Sequence, residues 1–143
     1  MKIFTGSDHA GLALKKILMG KLKELGFEVV DLGTDNDKSC DYPDFAHLVC
    51  EKVLSTPDSR GLLTCGSGIG MSIAANRHPG IRAALCRNAM EARLSRQHND
   101  ANVLVMGGRL IGEEHAFECL EVFFKTPFSG GRHEKRIKKI ETC

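Results

Sequence analysis

GLLTCGSGIGMSIAAN, residues 61–76, runs from a short apolar stretch through a turn with glycines at 66, 68 and 70 into a helix-forming segment. The short run 61–65 that ends at Cys65 reads as a buried strand. Strand, glycine turn and helix form the unit from which parallel sheets are built. The same alternation extends in both directions. Residues 2–6 read as a first strand. Leu14, Leu18, Leu22 and Leu25 then recur at helical spacing, and Gly26 closes that helix. Residues 27–32 make a second strand that ends at Gly33, and residues 34–41 a polar loop. A helix over residues 42–55 carries Phe45, Leu48, Val49 and Val53 on one face. Downstream of the glycine turn, strands are expected at 81–86 and 102–106, and helices at 88–98, 112–125 and 132–140. Strands apolar on both sides, alternating with helices, predict an α/β fold whose parallel sheet is covered on both faces. No internal repeat or linker divides the chain, so a single domain over residues 1–143 is expected.

In such a sheet, ligands sit beyond the carboxyl ends of the strands. Residues there include Asp8 and His9 after the first strand, Cys65 to Gly68 after the third, and Arg109 after the fifth. His98 and Asn99 end the fourth helix, nominally at the opposite edge. Glycines 66, 68 and 70 let backbone N–H groups converge at a helix start, an arrangement suited to a phosphate or a developing oxyanion and favourable to a thiolate at Cys65. The same letters also fit a tight turn whose glycines serve packing alone. Sharper alternatives fail on the sequence. A Walker loop needs Gly-Lys-Ser/Thr, which is missing. A dinucleotide fingerprint belongs after the first strand. A cysteine phosphatase needs arginine where Met71 stands. What remains is a thiol that takes and returns a proton beside an oxyanion cradle, the chemistry of an aldose–ketose isomerase working without metal.

The rest of the composition narrows the classes. At 42% hydrophobic and 27% charged, the 143 residues read as a soluble globular protein. The longest apolar runs are strand-sized, too short for a membrane span. The segment MKIFTGSDHAG shows no secretory leader, and a cytoplasmic location is expected. A net charge of +2 and few aromatics speak against a nucleic-acid partner. The six cysteines are Cys40, Cys50, Cys65, Cys86, Cys119 and Cys143, with no Cys-x-x-Cys pair to suggest zinc. Cys50, Cys86 and Cys119 read as small buried residues. His47, His78 and His115 have no constellation around them and read as surface or structural side chains. The acidic loop at 35–41 lacks calcium-loop spacing.

Five motifs stand in one order: GSDHAG (6–11), DYPDFA (41–46), CGSGIGMSIAAN (65–76), LSRQHNDANVL (94–104) and GGRHEKRI (130–137). Together they resemble the type B ribose-5-phosphate isomerases, a family that also includes allose- and galactose-phosphate isomerases. The resemblance covers nearly the whole chain. It implies a Rossmann-like three-layer α/β/α sandwich with a five-stranded parallel sheet, and interconversion of D-ribose 5-phosphate and D-ribulose 5-phosphate without a cofactor. It also implies a homodimer or dimer of dimers whose active sites are shared between subunits, which would explain the remote His98. Carried over by motif, Cys65 matches the base that moves the proton, and Ser67 a hydroxyl at the substrate oxygens where many relatives have threonine. Gly66, Gly68 and Gly70 match the oxyanion loop. Asp8 and His98 match residues that open the furanose ring, and Asn99 a substrate contact. His9, Arg132 and Arg136 match the phosphate site, Arg109 an arginine from the other subunit, and Tyr42 part of the pocket. A second subtype uses serine in place of the cysteine and a glutamate shortly after it; Gly70, Met71 and Ser72 carry no acid, so the cysteine subtype is the match. By spacing alone, Arg132 and Arg136 would read as a solvated basic tail; the motif favours the phosphate role. The rival readings are a six-carbon sugar-phosphate isomerase and a non-catalytic sugar-phosphate binding module.

Overall fold

A computed structural model describes residues 1–141; Thr142 and Cys143 lie outside the described residues. The elements alternate as expected: β1 (Lys2–Ser7), α1 (Leu12–Glu24), β2 (Glu28–Asp31), α2 (Tyr42–Ser55), β3 (Ser59–Cys65) and α3 (Ile69–Ala75). They continue with β4 (Ala83–Leu85), α4 (Ala89–Asn99), β5 (Val103–Gly107), α5 (Glu113–Lys125), a 3₁₀ turn (Gly131–His133) and α6 (Glu134–Ile140). The five strands are all parallel in the order β2-β1-β3-β5-β4.

Successive strand residues feed opposite faces. Ile3, Leu62, Leu104 and Met106 pack with Leu14, Leu18 and Leu22 of α1, Ala92 of α4 and Phe123 of α5. Phe4, Leu63, Val103 and Val105 pack with Ala46, Val49, Cys50 and Val53 of α2 and Met71 and Ala75 of α3. The result is three layers around two cores, the sandwich that the resemblance implied. Residues such as Leu18, Leu22 and Leu104 are fully buried, each worth ~1.5–3 kcal/mol of transfer free energy.

Three details differ from the sequence reading. Leu48 is 38% exposed; the inward stripe of α2 is Ala46, Val49, Cys50 and Val53, at the i, i+3, i+4, i+7 spacing of one helix face. Leu25 follows the last turn of α1 rather than belonging to it. β4 is only three residues long, because Asn76 bonds both the N–H and the carbonyl of Ala83 and so begins the strand there.

The register prepares the site. The order 2-1-3 places β1 between the strands that follow it and precede α3, so connections leave β1 in opposite directions. That is the switch point at which a crevice opens. Ser7 pairs with Thr64, and Cys65 with Gly107. Asp8 therefore emerges next to Cys65, and Arg109 two residues beyond Gly107.

Lys15 of α1 is completely buried and reaches both carboxylate oxygens of Asp31 at 2.7 and 2.8 Å and the Thr34 carbonyl at 2.7 Å. It ties α1 to the loop after β2. Removing one member of such a pair strands a charge in the interior. Asp31→Ala is expected to lower unfolding stability in urea by about 3 kcal/mol, toward the low end for buried pairs since the Asp31 side chain is 35% exposed. A change below about 0.5 kcal/mol would remove Lys15–Asp31 from the supports of the fold.

Candidate active site

A cavity of about 320 Å³ opens at the carboxyl edge of the sheet, lined among others by Asp8, His9, Tyr42, Cys65, Ser67 and Arg109. Cys65 is the last residue of β3 and only 4% exposed. Gly68 donates its N–H to Cys65 Sγ at 3.1 Å. Gly68 can do this because its φ is +79°, a left-handed conformation that suits glycine, while Leu85 and Gly107 fill the space where a side chain would stand. Ser67 Oγ accepts the N–H of Ile69 at 3.2 Å and so opens α3. At Gly70, a Cβ would stand 2.5 Å from the Tyr42 ring, so glycine lets the tyrosine lie against the loop.

Asp8 is 6% exposed. Its Oδ1 accepts the N–H of Gly11 at 2.9 Å, and its Oδ2 has no partner among the described residues. The side chain thus shapes the turn into α1 and keeps one free oxygen. His9 Nδ1 accepts the N–H of Cys40 at 3.2 Å. In the neutral ring the proton therefore sits on Nε2, a donor left for a ligand. The guanidinium of Arg109 lies over Gly66 and makes no ion pair among the described residues. It is the one permanent cation lining the cavity.

At the opposite edge of the sheet, His98 stacks on His133 with ring centroids 4.3 Å apart and planes 12° from parallel. Asn99 is exposed beside them, and Arg132 and Arg136 extend from the 3₁₀ turn and α6 into solvent. Burial, then His98, Arg132 and Arg136, hold the His133 ring below the ordinary histidine range. The permanent positive charge of this group sits on the two arginines.

The pattern of the ribose/galactose isomerases matches residues 3–140. A putative sugar phosphate isomerase of Bacillus subtilis is 46% identical over 98% of this chain and 95% of its own length. The ribose-5-phosphate isomerase B of Escherichia coli is 43% identical over 97% of this chain and 93% of its own. A ribose 5-phosphate isomerase crystal structure from Thermotoga maritima superposes with a TM-score of 0.97 at 53% identity, over 99% of this chain and 98% of that one. The type B enzyme of Trypanosoma cruzi gives 0.95 at 46% identity, over 99% and 96%.

The chain belongs to the ribose/galactose isomerase family.

Set against the residues expected of that family, the structure divides them into two groups. Asp8, His9, Tyr42, Cys65, Gly66, Ser67, Gly70 and Arg109 line one cavity. His98, Asn99, Arg132 and Arg136 do not line it and gather at the far edge. Gly68 is buried behind the loop and serves the thiol rather than the cavity wall. Arg109, which the resemblance assigns to the site of a neighbouring subunit, lines the cavity of its own chain, where the Cys65–Gly107 pairing brings it over Gly66. The family motif around residue 133 gave no role to its histidine, which the structure joins to His98. Its place between Arg132 and Arg136 was the available signal.

Among the described residues no three His, Cys, Asp or Glu side chains gather as metal ligands, and no helix is long and apolar enough to cross a membrane. Cys50, Cys86 and Cys119 are buried as expected. Burial pushes the thiols of Cys50 and Cys86 up to about 12 and that of Cys119 to about 11. Cys40 is half-buried at the edge of the site. Iodoacetamide at pH 8 on the folded protein is therefore expected to alkylate Cys40 and spare Cys50, Cys86 and Cys119, read by peptide mass spectrometry. Early labelling of any of those three would contradict the packing described.

Proposed function

We propose that this chain interconverts D-ribose 5-phosphate and D-ribulose 5-phosphate, with Cys65 carrying the proton between C2 and C1. The observation that carries this reading is Cys65 Sγ, held by the Gly68 N–H, in one cavity with the free carboxylate oxygen of Asp8 and the unpaired guanidinium of Arg109. The names of the relatives support the pentose substrate.

In the aldose-to-ketose direction, ring opening comes first. An acid–base pair must move a proton from the C1 hydroxyl to the ring oxygen, and Asp8 and His98 supply it. The Cys65 thiolate then takes the proton from C2. Negative charge develops on the oxygens of the enediolate, where the backbone of residues 66–70, the Ser67 hydroxyl and Arg109 stabilise it. The thiol returns the proton to C1, while the O2 proton leaves and O1 gains one through Ser67. The carbonyl now stands at C2. His9, Arg132 and Arg136 grip the phosphate, and Asn99 and Tyr42 position the sugar between the two ends. Binding energy from the phosphate fixes C1 and C2 against the sulfur.

One copy of the chain holds these groups at opposite edges of its sheet, so the reading requires a second copy, as a dimer or a dimer of dimers. Exposed apolar side chains support that requirement. Ile69, Ile73, Met90, Leu94 and Leu110 are between 38% and 62% exposed on α3, α4 and the loop after β5. Exposed apolar side chains of this kind suit an isologous contact.

Proton NMR in D₂O with D-ribose 5-phosphate, run beside D-allose 6-phosphate, tests the reaction. The expected result is a ketose with deuterium at C1 from the pentose. Turnover of the six-carbon sugar alone would move the substrate and keep the mechanism, and no exchange with either would leave a binding module. Cys65→Ala is expected to lower turnover by at least about 10³-fold with the fold intact; near-normal turnover would remove Cys65 as the base. Arg136→Ala is expected to raise KM about tenfold or more with a smaller effect on kcat. An unchanged KM would take Arg136 out of the phosphate site.

A further inference from the structure

The helix that carries Arg136 poses a packing problem. α6 spans Glu134–Ile140 and buries none of its residues. Isolated helices of this length do not hold in water. Something other than a core must fix it if its arginines are to meet a phosphate at a set distance from His98 and Asn99.

Arg82, just before β4, reaches both partners. Its Nη1 donates to Glu141 Oε1, just past the end of α6, at 2.9 Å. Glu141 Oε2 in turn accepts the N–H of Gly80 at 2.8 Å. The other nitrogens of Arg82 turn to the end of α4. Nε donates to the Asn99 carbonyl at 2.9 Å and the Asp100 carbonyl at 3.2 Å, and Nη2 to the Asp100 carbonyl at 3.1 Å. Nη2 also pairs with Asp100 Oδ2 at 3.4 Å. Asp100 holds a left-handed backbone with φ +45°, which ends α4 directly after His98 and Asn99. Its Oδ1 is held by Arg96 at 2.8 Å. The Arg82 side chain is only 17% exposed, so its bonds are shielded from competing water. The backbone N–H of Arg82 is itself fixed by Asn102 Oδ1 at 2.9 Å.

The geometry points to Arg82 as a positioning residue: it clamps the end of α4 to the end of α6 and so sets the spacing between His98–Asn99 and the arginines of the phosphate half-site. This rests on the proposed function for its catalytic meaning. Arg82 acts through Glu141, Asn99 and Asp100. A guanidinium suits the task because its fork serves two directions in one plane, which an ammonium does not.

Glu141→Gln weakens the α6 arm alone, because it removes the charge and leaves one acceptor oxygen for the two donors Arg82 and Gly80. It is expected to raise the KM for D-ribose 5-phosphate and the Kd for inorganic phosphate, measured by calorimetry, by the same factor of about five. Here kcat should stay within about twofold and Tm within a few degrees. Arg82→Ala loosens both arms, so KM and phosphate Kd rise further and kcat falls as well. The double variant should match Arg82→Ala in phosphate Kd, because both changes break one contact. Arg82→Lys should recover less than half of the loss in phosphate affinity. Unchanged KM and phosphate Kd in Glu141→Gln and Arg82→Ala overturn the clamp, as does a fall in Tm with both constants unmoved. Phosphate binding that weakens in the variants of a protein that never turns over ribose 5-phosphate overturns the proposed reaction and supports the clamp. A wild-type protein that neither binds phosphate nor turns over overturns both.

Discussion

At the centre of the sheet, β3 pairs with β1 through Ser7 and Thr64 and with β5 through Cys65 and Gly107. These parallel ladders fix more than the fold. These three strands stop within a residue of one another, so the residues that follow emerge together at one edge. Asp8 and His9, Cys65 to Gly70, and Arg109 come from segments far apart in sequence and share one cavity for this reason. A slip of one residue in the β1–β3 register would turn every side chain of one strand to the other core and move Asp8 away from the thiol. The alternating packing of Ile3 and Phe4, and of Leu62 and Leu63, against different helical layers is what forbids that slip.

The same architecture sends the other group of expected site residues away. A helix after a parallel strand runs back to the opposite edge, so the last turn of α4 delivers His98 and Asn99 there. The 3₁₀ turn and α6 deliver Arg132 and Arg136 to the same place. Apolar packing holds the first half, with Cys65 and Met71 inside a core. Polar contacts hold the second: the stacked histidines and the bonds of Arg82. The two groups of expected site residues thus rest on different forces at two ends of the molecule, and the proposed pairing of two copies would unite them.

Much of this was legible from the letters. The alternation of apolar runs and helical patterns identified all five strands, and the residues after the strand ends pointed to Asp8, His9, Cys65 and Arg109. Helix bounds were clear where a start signal coincided with a buried stripe, as at Tyr42–Ser55. They blurred where hydrophobicity and burial part: Leu48 is apolar but outward, while the small Ala46 and Cys50 point inward. Strand order is written in no local motif, because it depends on which ladders close. The resemblance put Arg109 on another chain, whereas the register holds it over Gly66 of its own. His133 and Arg82 escaped for a related reason. Their importance lies in partners 35 and 59 positions away, His98 and Glu141.

Mixing two inactive variants tests the shared site most directly. Cys65→Ala and Arg136→Ala proteins, each inactive or weak alone at low substrate, are unfolded together, refolded and assayed with D-ribose 5-phosphate. A site built from the cavity of one copy and the arginines of another leaves one intact site in each mixed dimer. Random pairing should then restore roughly one quarter of wild-type activity. Activity no greater than the average of the two separate variants, in mixed dimers confirmed by mass, would contradict the division of the site between copies.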